Sequence, residues 1–344
     1  MSNTDPSLVS SHVPTALTAG GPEATMRDSE SSTPTDAASD VRLPHRQHPG
    51  WWLAIIAVLG LAAAGVNVAA TNPNMQWDVF ARYFFSGAIL QGLGMTLWLT
   101  LIAMVAGTAI GVITAVMRQS PVKVLASAAW LYTWFFRGTP LLVQIIFWYN
   151  LAILFPTLEL GIPFTGLTLW SGATNSLITP FVAASLALSL NEGAYMAEIV
   201  RGGLQSVDQG QEEAATALGM TRMKMLRRIV IPQAMRVIVP PFGNEVISML
   251  KSSSLVSVIA MAELLYSAQL IYQQSYETIP LLMVASLWYL VLVTVLSAIQ
   301  YYVERRFSRG SKRALPPTPA QRLTTWVRNT SLAGRRAGAL GRGV

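Results

Sequence analysis

Polar side chains set inside apolar sequence are the residues of this chain best placed to do chemistry. Asn191 and Glu192 follow the apolar run VAASLALSL, while Asn244 and Glu245 follow VPPFG, with Lys251 and three serines soon after. An ionisable side chain near the middle of a bilayer costs about 2.5 to 3.5 kcal/mol on insertion scales, so it normally faces a partner or a water-filled path. These five residues therefore suit the wall of a route for a polar solute, with Trp148 and Tyr149 as aromatic contacts along it. A plainer reading has Glu245 and Lys251 neutralise charge between helices; their spacing of six turns about 240° on a helix, so they share no face unless the helix is broken.

Other chemistries are excluded by residue type. The chain has no cysteine, and His12, His45 and His48 all precede the first long apolar segment. The apolar part thus lacks thiolates and imidazoles for haem, zinc or iron-sulfur clusters, and no metal site is expected. Lys123, Lys224, Lys251 and Lys312 are the lysines present, and none sits in a GxxxxGK[ST] phosphate loop. No cofactor is expected on this chain, and any ATP and Mg must be held by another one.

The elements that position these groups are membrane helices. Of 344 residues 12% are charged and 52% hydrophobic, far from the quarter of charged residues usual in a soluble domain. Apolar windows long enough to cross about 30 Å of hydrocarbon fall near 51–70, 91–117, 125–154, 178–202, 237–270 and 281–303. The expected fold is an all-α membrane protein of about six transmembrane helices. Pro240 and Pro241 remove two backbone donors and are expected to kink the fifth window. Residues 1–45, rich in Ser, Thr, Pro and Asp, read as a disordered tail. The window at 51–70 is too long and begins too far into the chain for a cleaved signal.

Basic residues fix the threading. Arg42 and Arg46, then Arg118 and Lys123, Arg222 to Arg228, and Arg305 to Arg313 fall on one side, leaving Arg82 on the other. By the positive-inside bias both termini are cytoplasmic in a cell membrane of bacterial type. The net charge of +7 belongs mostly to those loops and the tail at 304–344, where anionic lipid explains it better than nucleic acid.

The longest internal cytoplasmic segment, 204–232, contains QEEAATALGMTRMKMLRRIVIP. Asp208 and Gln211 have capping-box spacing, and Glu212 and Glu213 in the first turn suit the helix dipole. Gly219 can adopt the left-handed conformation that ends a helix, and Thr221 can cap the next. The segment predicts two short helices around a sharp turn. Ala214, Ala215, Ala217 and Leu218 give the first a small apolar surface for a groove on another protein. From spacing alone, an amphipathic loop lying on lipid headgroups stays equally open.

The same stretch resembles the signature loop of binding-protein-dependent ABC importer permeases. Glu213, Ala214, Ala215, Gly219, Ile229 and Pro232 match at every spacing, with Ile231 replacing the usual Leu. GLGMTLWLTL, FFRGTPLLVQIIFWYN, GAYMAEIVRGGLQSV and PQAMRVIVPPFGNEVISMLKSSSLVSVIA are similar to the polar amino acid subgroup, the permeases for His, Gln, Glu, Arg and relatives. The resemblance covers about 92–302 and implies an ABC importer type I architecture over 90–303, with the helix at 51–70 additional to it. It implies that Glu212, Glu213, Ala214, Ala215, Leu218 and Gly219 dock a cytoplasmic ATPase dimer. It also implies a second permease subunit, identical or sister, and an extracytoplasmic amino acid binding protein. A transport subunit rather than an enzyme is expected. The rival reading is a secondary amino acid transporter coupled to an ion gradient, which would use Glu192 and Glu245 but leave the cytoplasmic motif unexplained.

Overall fold

A computed structural model describes residues 49–161 and 168–307. The tail at 1–45, His45, His48 and the basic tail beyond 307 lie outside the described residues. The described residues up to Val66 and those from Asn67 onward fall into separate units. The first unit carries most of α1 (Pro49–Thr71), an uninterrupted apolar helix.

In the second unit a short amphipathic helix, α2 (Trp77–Phe84), leads into α3 (Gly87–Arg118). Then follow α4 (Lys123–Gly138), α5 (Leu141–Tyr149) and the single turn α6 (Leu151–Leu154). β1 (Thr157–Gly161) pairs antiparallel with β2 (Thr168–Ala173), and the turn α7 (Thr174–Leu177) precedes the long α8 (Pro180–Gln205). The chain continues through α9 (Gln209–Ala217), α10 (Arg222–Met225), α11 (Ile231–Ser252), α12 (Leu264–Ser275) and α13 (Thr278–Phe307). The hairpin departs from the all-α expectation. Its strands are rich in Thr and Leu, and no sequence period separated them from loop.

Three helices among the described residues are each long and apolar enough to cross a membrane: α1, α3 and α13. Arg222–Ile259 and Leu264–Ser275, a pair bent by 43°, meet the same standard only when taken together, which makes four if the pair is one span. The window expected at 125–154 is divided at Thr139–Pro140, because Pro140 cannot donate within a helix and biases the residue before it to extended backbone; Thr139 has φ −110° and ψ 143°. The window at 178–202 is one unbroken helix, α8, but its serines, amide and acids keep it below that apolar standard.

The window at 237–270 is corrected in its detail. Helix α11 continues through Pro240 and Pro241 without interruption. The break comes later, where Ser253–Ile259 tightens to a 3₁₀ helix and Ala260 takes a left-handed φ of 58°. The Gln300 amide on α13 approaches the Pro240 carbonyl at 3.4 Å and packs on Gly243, so a neighbouring helix supports the proline turn.

The core forms where α3 meets α8. GTAIG, Gly107 to Gly111, puts two glycines one turn apart on α3, and small residues at this spacing let helices approach closely. A Cβ at Gly107 would stand 2.7 Å from the Glu192 side chain, and one at Gly111 would stand 2.5 Å from Met196. Leu99, Ala103, Ile145, Ala184, Leu188, Met196 and Val256 fill the space around this seam. A second cluster, Ile89, Leu264, Leu281 and Val284, joins α3, α12 and α13 beneath the aromatic side chains of α2.

Candidate functional site

The segment after α8 is built as a protruding helix and turn on a rigid root. Asp208 caps α9, its Oδ1 accepting from the Gly210 N–H at 2.7 Å. Gly219 has φ 68°, the region that L residues avoid, and its N–H donates to the Thr216 carbonyl while the Met220 N–H donates to the Ala215 carbonyl. Thr221 occupies the next N-cap position without a side-chain cap bond. Helix α10 then passes through a π-helical turn, Leu226–Val230, directly into α11. The second short helix of the expectation is therefore the first turn of a longer one.

Glu213, Ala214, Leu218 and Gly219 are exposed, Leu218 at 81%, while Glu212 is half-buried. Ala215 departs from the expected docking surface: it is buried against its own chain. That root is a small core of Val207, Val230, Ala234 and Ile238, with Leu204, Met225 and Leu226 around it. Gly203 on α8 lies so close to Ile238 on α11 that a Cβ there would clash. The ends of α8 and α11 that flank α9 are thereby packed tightly on one another. Glu198 and Arg201 form the expected pair on the inner part of α8, with Arg201 Nε donating to Glu198 Oε2 at 2.9 Å.

The polar residues of the spans divide into tied and untied groups. Asn191 Nδ2 donates to the Phe136 carbonyl at 3.0 Å and to Gln144 Oε1 at 3.3 Å. Gln144 Nε2 in turn reaches the Phe136 carbonyl at 3.0 Å and Thr139 Oγ1 at 2.8 Å. The Asn191 amide nitrogen thus ties α8 to the break between α4 and α5. Asn244 is likewise engaged, its Oδ1 accepting from Gln300 Nε2 at 2.9 Å. Trp148 packs on the main core, while Tyr149 is partly exposed.

Glu192, Glu245 and Lys251 remain. Glu192 is buried at 2% exposure, and its Oε1 has no hydrogen-bond partner among the described residues. Glu245 is half-buried on α11, which packs against α8. Arg137, held at the α4–α5 break, lies within electrostatic reach of Glu245 and 5.4 Å from the Tyr195 ring centroid. Lys251 is exposed and forms no ion pair with Glu245; the ion pairs among the described residues are Asp78–Arg82 and Glu198–Arg201. The continuous helix between positions 245 and 251 keeps them on different faces.

Sequence reasoning missed Glu263. Its carboxylate is fully buried, accepts from the Leu265 and Tyr266 N–H groups and the Tyr289 hydroxyl at 2.8 Å each, and meets Thr96 Oγ1 at 3.5 Å. It starts α12 and binds that helix to α3 and α13. The available signal was a lone acid ahead of an apolar run in MAELLYS, an N-cap pattern hidden by treating the window as one helix.

Comparison with known proteins accords with this arrangement. The family described as "Binding-protein-dependent transport system inner membrane component" matches residues 107–309. The arginine transport system permease protein ArgU of Corynebacterium glutamicum is 44% identical over 78% of this chain and 84% of its own length. The octopine transport system permease protein OccM of Rhizobium radiobacter is 38% identical over 74% and 94%, and the glutamine transport system permease protein GlnP of Escherichia coli is 32% identical over 67% and 98%. A solved amino acid ABC transporter with histidines is 37% identical, with a TM-score of 0.55, covering 66% of this chain and 97% of that one. The chain belongs to the family of inner membrane components of binding-protein-dependent transport systems.

Proposed function

We propose that the chain is the permease subunit of an ATP-driven importer that receives a polar amino acid, preferentially one with a cationic side chain, from an extracytoplasmic binding protein. The carrying observation is the exposed α9 and its Gly219 turn, rooted on α8 and α11, the helices that bear Glu192 and Glu245. Glu213, Leu218 and the turn dock the ATPase, which holds ATP and Mg. A second permease, identical or sister, completes the path. Closing of two ATPases moves the docking helices, and α8 and α11 follow them, reorienting the path from outside to inside.

In this reading α4 with α5, and α8, are crossings despite their break and polarity. Counted with α1, α3, the bent pair and α13 they make six, with both termini cytoplasmic. The distribution of Arg and Lys supports that threading. The cargo follows from charge: an amino acid in a path of low polarity needs a compensating group for each charge. Two acids beside the path favour a cation, and the likeness to an arginine permease supports the same class. The ion-gradient alternative finds no support in these likenesses.

Reconstitution with an ATPase and a binding protein, followed by uptake of a panel of amino acids, tests the proposal. ATP-dependent uptake of arginine, lysine or histidine that survives collapse of the ion gradients is expected. Uptake abolished by that collapse, with ATP still present, would refute it.

A further inference from the structure

The groove between α11 and α13 has no part in the site described so far. Val239, Phe242 and Val246 of α11 line it together with Leu296, Ile299 and Val303 of α13. Spacings of three and four residues set each trio on one face of its helix, so the two stripes form facing apolar walls. The helices meet closely beside it: a Cβ at Gly243 would lie 2.6 Å from the Gln300 side chain. Ile299 and Val303 stay exposed along its lip.

Both walls end in cations. Helix α13 continues the spacing 296, 299, 303 to Arg306, which with Arg305, Tyr302 and Val303 borders a recess at the end of the helix. Arg236 precedes Gly243 and Ile247, which also line the groove, by seven and eleven positions and so shares their side of α11; it is exposed. Gln300 meets α11 at the Pro240 carbonyl and Asn244 Oδ1, and the two helices cross in opposite directions in the proposed threading, so Arg236 and Arg306 flank the same mouth. Neither forms an ion pair among the described residues. Glu304, the acid at this mouth, accepts from Gln300 Nε2 at 2.6 Å.

Dimensions and charge select the occupant. Ten positions separate Leu296 from Arg306, and ten separate Arg236 from Val246, about 15 Å on each helix. That is half of the roughly 30 Å hydrocarbon thickness, the depth of one leaflet. An apolar groove one leaflet deep with guanidinium groups at its mouth matches the acyl chain and phosphate of a single lipid. A guanidinium grips phosphate through a planar fork, and basic pockets between membrane helices on the cytoplasmic side suit anionic headgroups.

We infer that the α11–α13 groove binds an anionic glycerophospholipid of the cytoplasmic leaflet, its phosphate held between Arg236 and Arg306 and an acyl chain lying along Ile299 and Val303. The inference rests on the threading proposed above, which puts that mouth inside. It gives α11, the helix that continues from the docking loop, a lipid tie to α13.

The test uses the full chain with its ATPase in lipid nanodiscs. Because the chain has no cysteine, Val295→Cys, exposed beside the upper end of the groove, accepts a single fluorophore. Phosphatidylglycerol with brominated chains is expected to half-quench it at a mole fraction at least about fivefold lower than brominated phosphatidylcholine, with the preference shrinking as salt increases. Adding Arg236→Gln with Arg306→Gln should abolish the preference, while Arg236→Lys with Arg306→Lys, which keeps the charge, should retain a preference. Equal quenching by the two lipids would overturn the site, leaving ordinary contact with the bilayer. Quenching by neither would overturn it too, because another protein segment then covers the groove. A preference unmoved in the glutamine pair would overturn the assignment to Arg236 and Arg306. The threading is tested apart from the lipid: Phe307→Cys should react with a membrane-impermeant maleimide from the cytoplasmic face, and reaction from the outer face would overturn the leaflet and the orientation for import together.

Discussion

Glu192 and Glu263 are both buried glutamates in apolar surroundings, and their partners set them apart. Glu263 receives two backbone N–H groups and a tyrosine hydroxyl, so its charge is dispersed over fixed donors and the group serves as a joint. Glu192 leaves one oxygen unpartnered among the described residues, with Glu245 nearby. A buried polar group without a partner costs about 1 to 3 kcal/mol, so such a group persists where another requirement maintains it. Glu192→Gln is therefore expected to lower uptake of basic amino acids at least about tenfold, equivalent to about 1.4 kcal/mol, with thermal stability and binding-protein affinity unchanged. Glu263→Gln is expected to do the reverse in kind: its amide turns a donor toward donors, and the melting temperature falls. Wild-type uptake by the Glu192 variant would reduce that residue to packing.

Among the elements, α9 and its turn were legible because their signals are local. An N-cap acid, first-turn acids and a glycine at the stop act within a few residues, and the capped helix and left-handed Gly219 follow from them. Breaks in the spans were less legible because they depend on distant partners. Pro240 and Pro241 sit inside a helix that Gln300 supports from α13, whereas the real break at Ser253–Ala260 contains no proline. Asn191 looked like a free polar group in sequence, and its partner Phe136 stands 55 positions away. The docking element itself yields a prediction at this scale. Glu213→Lys reverses an exposed charge, and Gly219→Pro replaces the positive φ with a ring that demands about −65°. Each is expected to insert normally and to lose the ATPase on co-purification. Retention of the ATPase at wild-type yield by both would show that α9 is not its dock.

For the whole molecule, the decisive feature is the outer face of α11. Asn244, Ser248 and Lys251 are exposed at spacings of four and three, which places them in one stripe along a helix that belongs to a membrane-crossing pair. Lipid tails supply nothing for an amide, a hydroxyl and an ammonium, so polar side chains in a span turn to protein or to a water-filled cavity. On the side of α11 away from the stripe, Leu97, Leu101, Val105, Phe242, Val246 and Leu296 line an open apolar groove between α3, α11 and α13. A polar stripe on the outer face of such a helix is the surface expected of a half-built path, which another membrane subunit closes so that the stripe faces water at the join. The functional complex is therefore expected to hold two membrane subunits, each with its own docking loop for one of two ATPases. Mass measurement of the transport-competent complex tests the count, and a single cysteine at Ser248→Cys in the cysteine-free chain should cross-link it to the second subunit. A complex that transports with one membrane subunit would refute this, because Lys251 would then have to be held in hydrocarbon without a counter-group, at about the 2.5 to 3.5 kcal/mol cost that the path is proposed to remove.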